Sequence, residues 1–150
     1  MINIRPAKQK EAEILTDIAS KSEAYWGYDE EYMQNFTSIY KVTDEFIRDN
    51  TVYVIEENSL IVGFYGVITD KDEALLEYFY ITPECFGKGY GKAMWKHLIY
   101  AVGKMGMNKI NLVTSPQAKD FYIKMGAQLI GEIDSLVIKN RKIPQLLYKL

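Results

Sequence analysis

The residues best suited to binding chemistry form a short glycine-rich stretch, Gly87-Lys88-Gly89-Tyr90-Gly91-Lys92. A β-type run ends at Pro83 just before it, and a helical pattern begins within it. Glycines let backbone N–H groups approach a ligand without an obstructing Cβ, and a helix N-terminus adds further free N–H groups. The stretch therefore predicts an anion cradle, with Lys88 and Lys92 as cationic donors at its rim.

Two common phosphate-binding motifs do not fit this stretch. A P-loop needs a glycine five positions before Gly91, where Phe86 stands, and a hydroxyl residue where Ala93 stands. The dinucleotide pattern GxGxxG fails because the three glycines alternate strictly and their βα unit lies in the middle of the chain. The sequence thus predicts neither a nucleoside triphosphatase nor a dinucleotide-binding domain.

The elements that must position the cradle alternate along the chain. Hydrophobic periodicity and turn residues predict strands at 2–5, 51–55, 61–67, 75–81, 110–113, 129–133 and 146–150. Helices are predicted at 14–22, 29–36, 44–49, 90–103 and 115–125. This order implies an α/β fold, a mixed sheet with helices on both faces, and we expect one domain spanning residues 1–150.

Composition excludes several classes of protein. The chain has 150 residues, of which 48% are hydrophobic and 25% charged, which is typical of a globular domain. One cysteine, Cys85, and one histidine, His97, allow neither an internal disulfide nor a Cys/His zinc site, so no metal is expected. The net charge of −2 argues against nucleic-acid binding. No apolar run approaches the roughly 18 residues that a membrane-spanning helix needs, and the first residues do not resemble a secretory leader. We therefore expect a cytoplasmic protein without a membrane partner.

Two segments of the sequence resemble the cofactor motifs of the GNAT superfamily, the acyl-CoA-dependent N-acyltransferases. The first is the glycine-rich stretch together with the flanking Pro-Glu and Lys-Ala-Met. The second is residues 115–127, SPQAKDFYIKMGA, which is similar to an Asn-x-x-Ala start followed by Phe-Tyr and a Met-Gly-Ala helix end. Both segments occur in the family's order.

This resemblance implies a fold and a cofactor. The fold is a mixed, mostly antiparallel sheet of six to seven strands, with helices on both faces and a V-shaped splay between strands 4 and 5. The pantetheine arm of acetyl-CoA would enter the V beside strand 4, and its pyrophosphate would lie on the cradle. The residues that the resemblance assigns to the cofactor are Phe79, Tyr80, Ile81, Phe86, Gly87, Lys88, Gly89, Tyr90, Gly91, Lys92, Ser115, Ala118 and Tyr122.

Two positions depart from the family pattern. Phe86 stands where the family usually has Gln or Arg, so a side-chain donor is lost, and we expect the backbone N–H groups to suffice. Ser115 stands where the family often has Asn. Because Pro116 follows, Ser115 is also a good helix N-cap, and this structural role is as well supported as cofactor contact.

Tyr122 is the catalytic acid that the resemblance implies, because a tyrosine at this position lies near the cofactor sulfur in the family. Thiols titrate near pH 8.5 and tyrosine near about pH 10, so a phenol can protonate the departing thiolate. The family also places a backbone N–H donor for the developing oxyanion near Phe79 or Tyr80. The alternative for Tyr122 is an ordinary core aromatic beside Phe121.

Glu77 is the candidate base. An alkyl amine with a pKa of about 10.4 must lose a proton before it attacks a thioester. By period two, Glu77 shares a face of strand 4 with Leu75, Phe79 and Ile81, and it lies one pleat nearer the cradle than the usual glutamate of the family. It would act directly or through water, and a carboxylate without a catalytic role is the alternative.

The acceptor side is predicted from the first helical region, which Tyr25, Trp26 and Tyr28 interrupt. The resemblance places this arm over the acceptor, and between residues 11 and 31 acidic side chains outnumber basic ones seven to one. Aromatic and acidic groups together suit a cationic amine. Core packing is the alternative role of these aromatics, and it is the favoured one for Trp26.

The resulting hypothesis is an N-acetyltransferase that moves an acetyl group from acetyl-CoA to a primary amine of a small molecule. A polyamine, an aminoglycoside-like amine or a lysine-like group would suit the acidic arm. A non-catalytic acetyl-CoA sensor and an enzyme of this fold that uses another acyl-CoA or acylates a protein or peptide are the alternatives. Related domains often dimerise, so a homodimer stays open.

Overall fold

The computed structural model describes residues 1–150. Its strands are β1 (Ile2–Pro6), β2 (Thr51–Glu57), β3 (Leu60–Asp70), β4 (Glu73–Ile81), β5 (Lys109–Val113), β6 (Gln128–Asp134) and β7 (Lys142–Lys149). Its α-helices are α1 (Ala12–Ala24), α2 (Glu30–Ile39), α3 (Asp44–Asp49), α4 (Tyr90–Lys104) and α5 (Lys119–Lys124). None of the helices combines the length and the apolar composition that crossing a bilayer requires.

All seven strands form one sheet in the order β1-β2-β3-β4-β5-β7-β6. Every neighbouring pair is antiparallel except β4 and β5, which run parallel. The β4–β5 pairing extends only from Glu73 to Leu76 on β4, whereas residues 78–81 pair with β3 alone. The two strands therefore diverge, and the predicted mixed sheet with a V between strands 4 and 5 is confirmed.

Helices cover both faces of the sheet, each over its own apolar core. On one face α4 contributes Met94, Leu98 and Val102, which recur at helical spacing and are fully buried. On the other face α1 contributes Leu15, Ile18 and Ala19 in the same manner. The divergent ends of β4 and β5 thus lie between two packed layers.

A β-bulge in β4 changes which residues share a face. Val67 pairs with Leu76 and Gly66 with Tyr78, so Glu77 has no partner on β3. Leu76 packs in the α4-side core, but Tyr78 packs in the α1-side core. The prediction that Glu77 shares one face with Leu75, Phe79 and Ile81 is wrong, because the period of two assumes an unbroken pleat and the bulge puts Leu75 and Phe79 on opposite faces. Phe79 and Ile81 return to the α4 side beyond the bulge.

The predicted helix at 115–125 is shorter than expected. Residues 115–118 form a turn in which the Ala118 N–H donates to the Ser115 carbonyl at 3.1 Å, and α5 begins only at Lys119. Ala118, rather than Ser115, occupies the N-cap position. A proline disfavours helical backbone angles in the residue before it, which explains why the chain turns at Ser115 before the helix starts.

Candidate active site

A cavity of about 840 Å³ lies at the divergence of β4 and β5. It is walled by the sheet, by the segment between β4 and α4, by α5 and the turn before it, and by α1 and α2. Of the residues predicted to hold the cofactor, all but Lys88 line it: Phe79, Tyr80, Ile81, Phe86, Gly87, Gly89, Tyr90, Gly91, Lys92, Ser115, Ala118 and Tyr122. Lys88 is exposed and does not line the cavity.

The cradle between β4 and α4 holds a run of free donors. The backbone N–H groups of residues 87–92 donate to no protein group, because the first bond of α4 runs from Ala93 N–H to the Gly89 carbonyl, at 3.1 Å. Gly87 and Gly89 have positive φ angles of 77° and 85°, and no atom lies within 4 Å of the position that a Cβ would take. These unpaired donors at a helix N-terminus fit the diphosphate of a coenzyme A molecule.

Phe86 and the aromatic arm close one side of the cavity. The Phe86 ring packs edge-on against Tyr25, with ring centroids 5.0 Å apart, and it lines the cavity. Trp26 also lines the cavity and is 43% exposed, so the prediction that it packs in the core is wrong. The side chains of Tyr25 and Tyr28 do not line the cavity.

Tyr122 is buried on α5 and faces the cavity. Its ring packs edge-on against Phe79 and Trp95, with centroids 5.8 Å away in both cases. Burial raises the pKa of its phenol well above the ordinary value, and the neighbouring Thr114 hydroxyl acts in the opposite direction. The phenol therefore stays protonated at neutral pH and can act only as a proton donor there.

Glu77 lines the same cavity at the bulge of β4. Tyr40, which follows α2, lines the cavity as well; burial raises the pKa of Tyr40 and of Tyr78, and the Glu77 charge adds to this effect. Desolvation by the surrounding walls raises the pKa of Glu77 above 4.5. The Glu77 side chain is nevertheless solvent-exposed, so it can exchange protons with water, and a carboxylate with a raised pKa is a stronger base than one with the ordinary value.

A polar network on the opposite wall was not predicted from the sequence. Glu23 on α1 accepts a hydrogen bond from the Tyr32 hydroxyl at 2.5 Å, and Tyr32 stacks on Tyr28 at 3.9 Å between centroids. The Tyr28 hydroxyl accepts from Arg141 and donates to Gln117, at 3.1 Å each. The network joins the helical arm, the β6–β7 loop and the turn before α5 across the mouth of the V.

One of these residues carried a signal in the sequence. Glu23 lies at the helical spacing that the buried residues of α1 share, which are Leu15, Ile18, Ala19 and Ser22. Its carboxylate is therefore buried on the apolar face of the helix. A charge on such a stripe is unusual and indicates a function or a partner. Arg141 lies in a loop with no periodicity, and nothing local distinguishes it from the exposed Lys139 nearby.

No cluster of three or more His, Cys, Asp or Glu side chains is arranged to hold a metal ion. The cavity wall combines free backbone donors with five phenols, two carboxylates, one guanidinium and two ammonium groups: Tyr32, Tyr40, Tyr80, Tyr90, Tyr122, Glu23, Glu77, Arg141, Lys92 and Lys124. This set of groups suits the binding of an anionic, extended molecule beside an amine, with separate proton-accepting and proton-donating groups.

Residues 48–126, more than half of the chain, match the family model of the acetyltransferase (GNAT) domain. The chain belongs to the GNAT acetyltransferase family. A search of curated proteins gave no significant match.

Solved structures share the fold over the whole chain. The PaiA N-acetyltransferase of Thermoplasma acidophilum, solved in complex with coenzyme A, superposes with a TM-score of 0.84 at 22% identity and covers 100% of this chain and 99% of its own. The ribosomal-protein-S18-alanine N-acetyltransferase of Escherichia coli superposes with a TM-score of 0.75 at 17% identity, and the match covers 99% of this chain and 94% of that one. YncA of Salmonella typhimurium, a putative acetyltransferase solved with acetyl-CoA, gives 0.71 at 17%, also covering 99% and 94%. At these identities the similarity concerns the fold alone.

Proposed function

We propose that this chain is an N-acetyltransferase that transfers the acetyl group of acetyl-CoA directly to a primary amine of a small molecule, and that residues 1–150 act as a single domain. The observation that carries the proposal is that one cavity combines the free donors of the cradle, the unpaired end of β4 and the buried phenol of Tyr122. The continuous seven-stranded sheet supports the single domain.

The cradle and the V would hold the two ends of acetyl-CoA. The N–H groups of residues 87–92, with Lys92 on the cavity wall, would bind the diphosphate. Residues 78–81 lack a partner strand on the β5 side, so their backbone can pair with the amides of a pantetheine arm. Two of the similar structures were solved with coenzyme A or acetyl-CoA, which supports this choice of co-substrate.

Acetyl-CoA supplies the activated thioester, and the chain supplies the proton transfers and the positioning. Glu77, with its raised pKa, would accept the proton of the incoming ammonium directly or through water. Presenting a free amine at neutral pH costs about 4 to 5 kcal/mol, so a base inside the cavity has a clear role. A backbone N–H near Phe79 or Tyr80 would stabilise the negative charge on the carbonyl oxygen.

Tyr122 would donate its proton to the departing thiolate. Its raised pKa keeps the phenol protonated, and its contact with Phe79 holds the ring beside the unpaired end of β4. The thiolate would accept this proton as the C–S bond breaks, and the amine nitrogen, which loses a second proton as the amide forms, would return one to the Tyr122 phenolate directly or through water.

A thiol-release assay tests this function. Purified protein is incubated with acetyl-CoA and a panel of polyamines, amino acids, aminoglycosides and peptides, and free coenzyme A is measured with a thiol reagent. Release that requires a small amine, with the acetylated amine identified by mass spectrometry, is expected. Binding without release from any amine would identify a sensor instead, and release with peptides alone would identify a peptide acetyltransferase.

A further inference from the structure

The carboxylate of Glu23 has one oxygen that is free to meet a ligand. The residue is only 8% exposed, and its Oε2 accepts from the Tyr32 hydroxyl. Its Oε1 has no hydrogen-bond partner in the protein. Every side-chain polar atom that is shielded from solvent does have such a partner. Oε1 must therefore reach solvent, and because Glu23 lines the cavity, it does so there.

Arg141 presents the opposite charge on the same wall. Its side chain makes a single hydrogen bond, from Nη2 to the Tyr28 hydroxyl at 3.1 Å, and it forms no salt bridge. The guanidinium also lies over the Tyr28 ring, 5.5 Å from its centroid. Since a guanidinium carries five N–H donors, its remaining donors at Nε and Nη1 are unpaired and accessible by the same reasoning.

One chain of contacts connects the two charges, because Arg141 donates to the Tyr28 hydroxyl, the Tyr28 ring stacks on Tyr32, and the Tyr32 hydroxyl donates to Glu23. They do not neutralise each other as a salt bridge, and both line the cavity beside Glu77. The other cations on the wall, Lys92 and Lys124, belong to α4 and α5, on the coenzyme side. Arg141 is thus the cation on the wall opposite the coenzyme.

We propose that the acceptor is an amine that also carries a carboxylate, an amino acid rather than a polyamine, with its carboxylate bound by Arg141. This inference rests on the proposed function and narrows it. A polyamine would bring only positive charge to a cavity wall that already holds an unpaired guanidinium. A carboxylate pairs with a guanidinium through two parallel hydrogen bonds, and Glu23 Oε1 remains to accept from an ammonium group.

The test compares matched pairs of acceptors that differ only in the carboxylate. Lysine is compared with cadaverine, and ornithine with putrescine, by thiol release at saturating acetyl-CoA. We expect kcat/KM for each amino acid to exceed that of its decarboxylated partner by about tenfold or more, which is the effect of losing hydrogen bonds to a charged group. Glycyl-lysine also keeps a terminal carboxylate, so comparing its kcat/KM with that of lysine distinguishes a peptide acceptor from a free amino acid.

The variant R141Q assigns the preference to this side chain. We expect it to bring the ratio of lysine to cadaverine near unity, whereas R141K keeps part of the ratio. K139Q removes a positive charge from the same loop at an exposed position outside the cavity and should keep the full ratio. A wild-type preference for cadaverine, or a ratio unchanged in R141Q, would overturn the inference while leaving acetyl transfer intact.

A binding measurement separates failure of the inference from failure of the proposed function. Lysine should raise the melting temperature of the coenzyme A-loaded protein more than cadaverine does, whether or not acetyl transfer follows. If no amine of the panel supports thiol release, the proposed function fails. If lysine also raises the melting temperature no more than cadaverine does, the proposed carboxylate site is ruled out, whether or not any amine is acetylated.

Discussion

The phenol ring of Tyr122 and the ring of Phe79 meet at the open V, with centroids 5.8 Å apart and planes inclined by 66°. Phe79 belongs to the end of β4 that has lost its pairing with β5, and Tyr122 belongs to the helix that follows β5. The contact therefore connects the two sides of the gap through aromatic packing, and it fixes the Tyr122 phenol beside the unpaired strand.

Replacing Tyr122 by Phe should lower turnover far more than it weakens acetyl-CoA binding. The ring contacts with Phe79 and Trp95 survive in Y122F, and only the proton donor is lost. General acid catalysis contributes about 10² to 10⁴ in rate, so kcat should fall within that range. Steady-state kinetics give kcat, and titration calorimetry gives the dissociation constant of acetyl-CoA.

Tyr148 offers a matched control for this variant. It also packs edge-on against Trp95, at 5.5 Å between centroids, but it does not line the cavity. Y148F should leave kcat unchanged. Equal turnover in Y122F and the wild type would remove Tyr122 from the mechanism.

The pH dependence of kcat should report on Glu77. Desolvation raises the pKa of this carboxyl above 4.5, and the base form exists only above that raised pKa. The wild-type kcat should therefore fall as the pH drops through the raised value. E77Q should lower kcat at neutral pH by about 10² or more and should lack this dependence.

Glu73 is the control for E77Q, since it lies on the same strand but outside the cavity. E73Q should keep both the rate and the pH profile of the wild type. An E77Q variant with an unaltered acidic limb would show that the limb comes from another group, and Glu23 is the next candidate because burial raises its pKa as well.

Replacing Gly89 by Ala should weaken acetyl-CoA binding because the added Cβ disturbs the backbone conformation of the cradle. Its φ of 85° is in the left-handed region, which costs a side-chain-bearing residue about 1 to 2 kcal/mol. G89A should therefore lower the melting temperature and also distort the free N–H groups of the cradle. We expect the dissociation constant of acetyl-CoA to rise, as measured by titration calorimetry.

Gly106 has almost the same geometry, with a φ of 81° and open space around its Cβ position, but it lies after the far end of α4. G106A should lower stability to a similar extent and leave acetyl-CoA binding unchanged. If both variants bind acetyl-CoA as tightly as the wild type, the cradle geometry does not matter for the ligand.

Stability at acidic pH should depend on Glu11. Its carboxylate accepts two hydrogen bonds from the Arg5 guanidinium, at 2.8 and 3.1 Å, which lower its pKa below 4.5. A carboxyl with a lowered folded-state pKa stabilises the fold above its unfolded value, and this contribution is lost as the pH falls through the lowered pKa. E11Q should reduce the unfolding free energy by about 2 kcal/mol at neutral pH.

Urea denaturation across the acidic range checks this expectation. The difference between wild type and E11Q should be constant above pH 4.5 and shrink below it. E13Q, at an exposed position of α1, should match the wild type throughout. A difference that persists undiminished in acid would mean that packing, rather than charge, accounts for the role of Glu11.

Local patterns predicted most of the fold. The helix expected at 90–103 is found at Tyr90–Lys104, because its apolar side chains recur at helical spacing and its start is set by the glycines. The β2–β3 turn forms at Asn58 and Ser59, both with positive φ, as its polar residues indicated. The helix predicted at 115–125 is also present, although it begins four residues later than expected.

The rest depends on contacts between distant segments. The bulge at Glu77 arises from a register shift against Gly66 and Val67, and no period within β4 encodes it. Arg141 becomes a cavity residue only because the β6–β7 loop reaches Tyr28, 113 positions earlier in the chain. The exposure of Trp26 likewise depends on where the helical arm lies over the V, which is a tertiary feature.

Titration calorimetry of the purified protein with acetyl-CoA measures whether this ligand occupies the V between β4 and β5. We expect saturable one-to-one binding in the wild type and a larger dissociation constant in G89A than in G106A. No saturable binding of either acetyl-CoA or free coenzyme A to the wild-type protein would contradict this expectation.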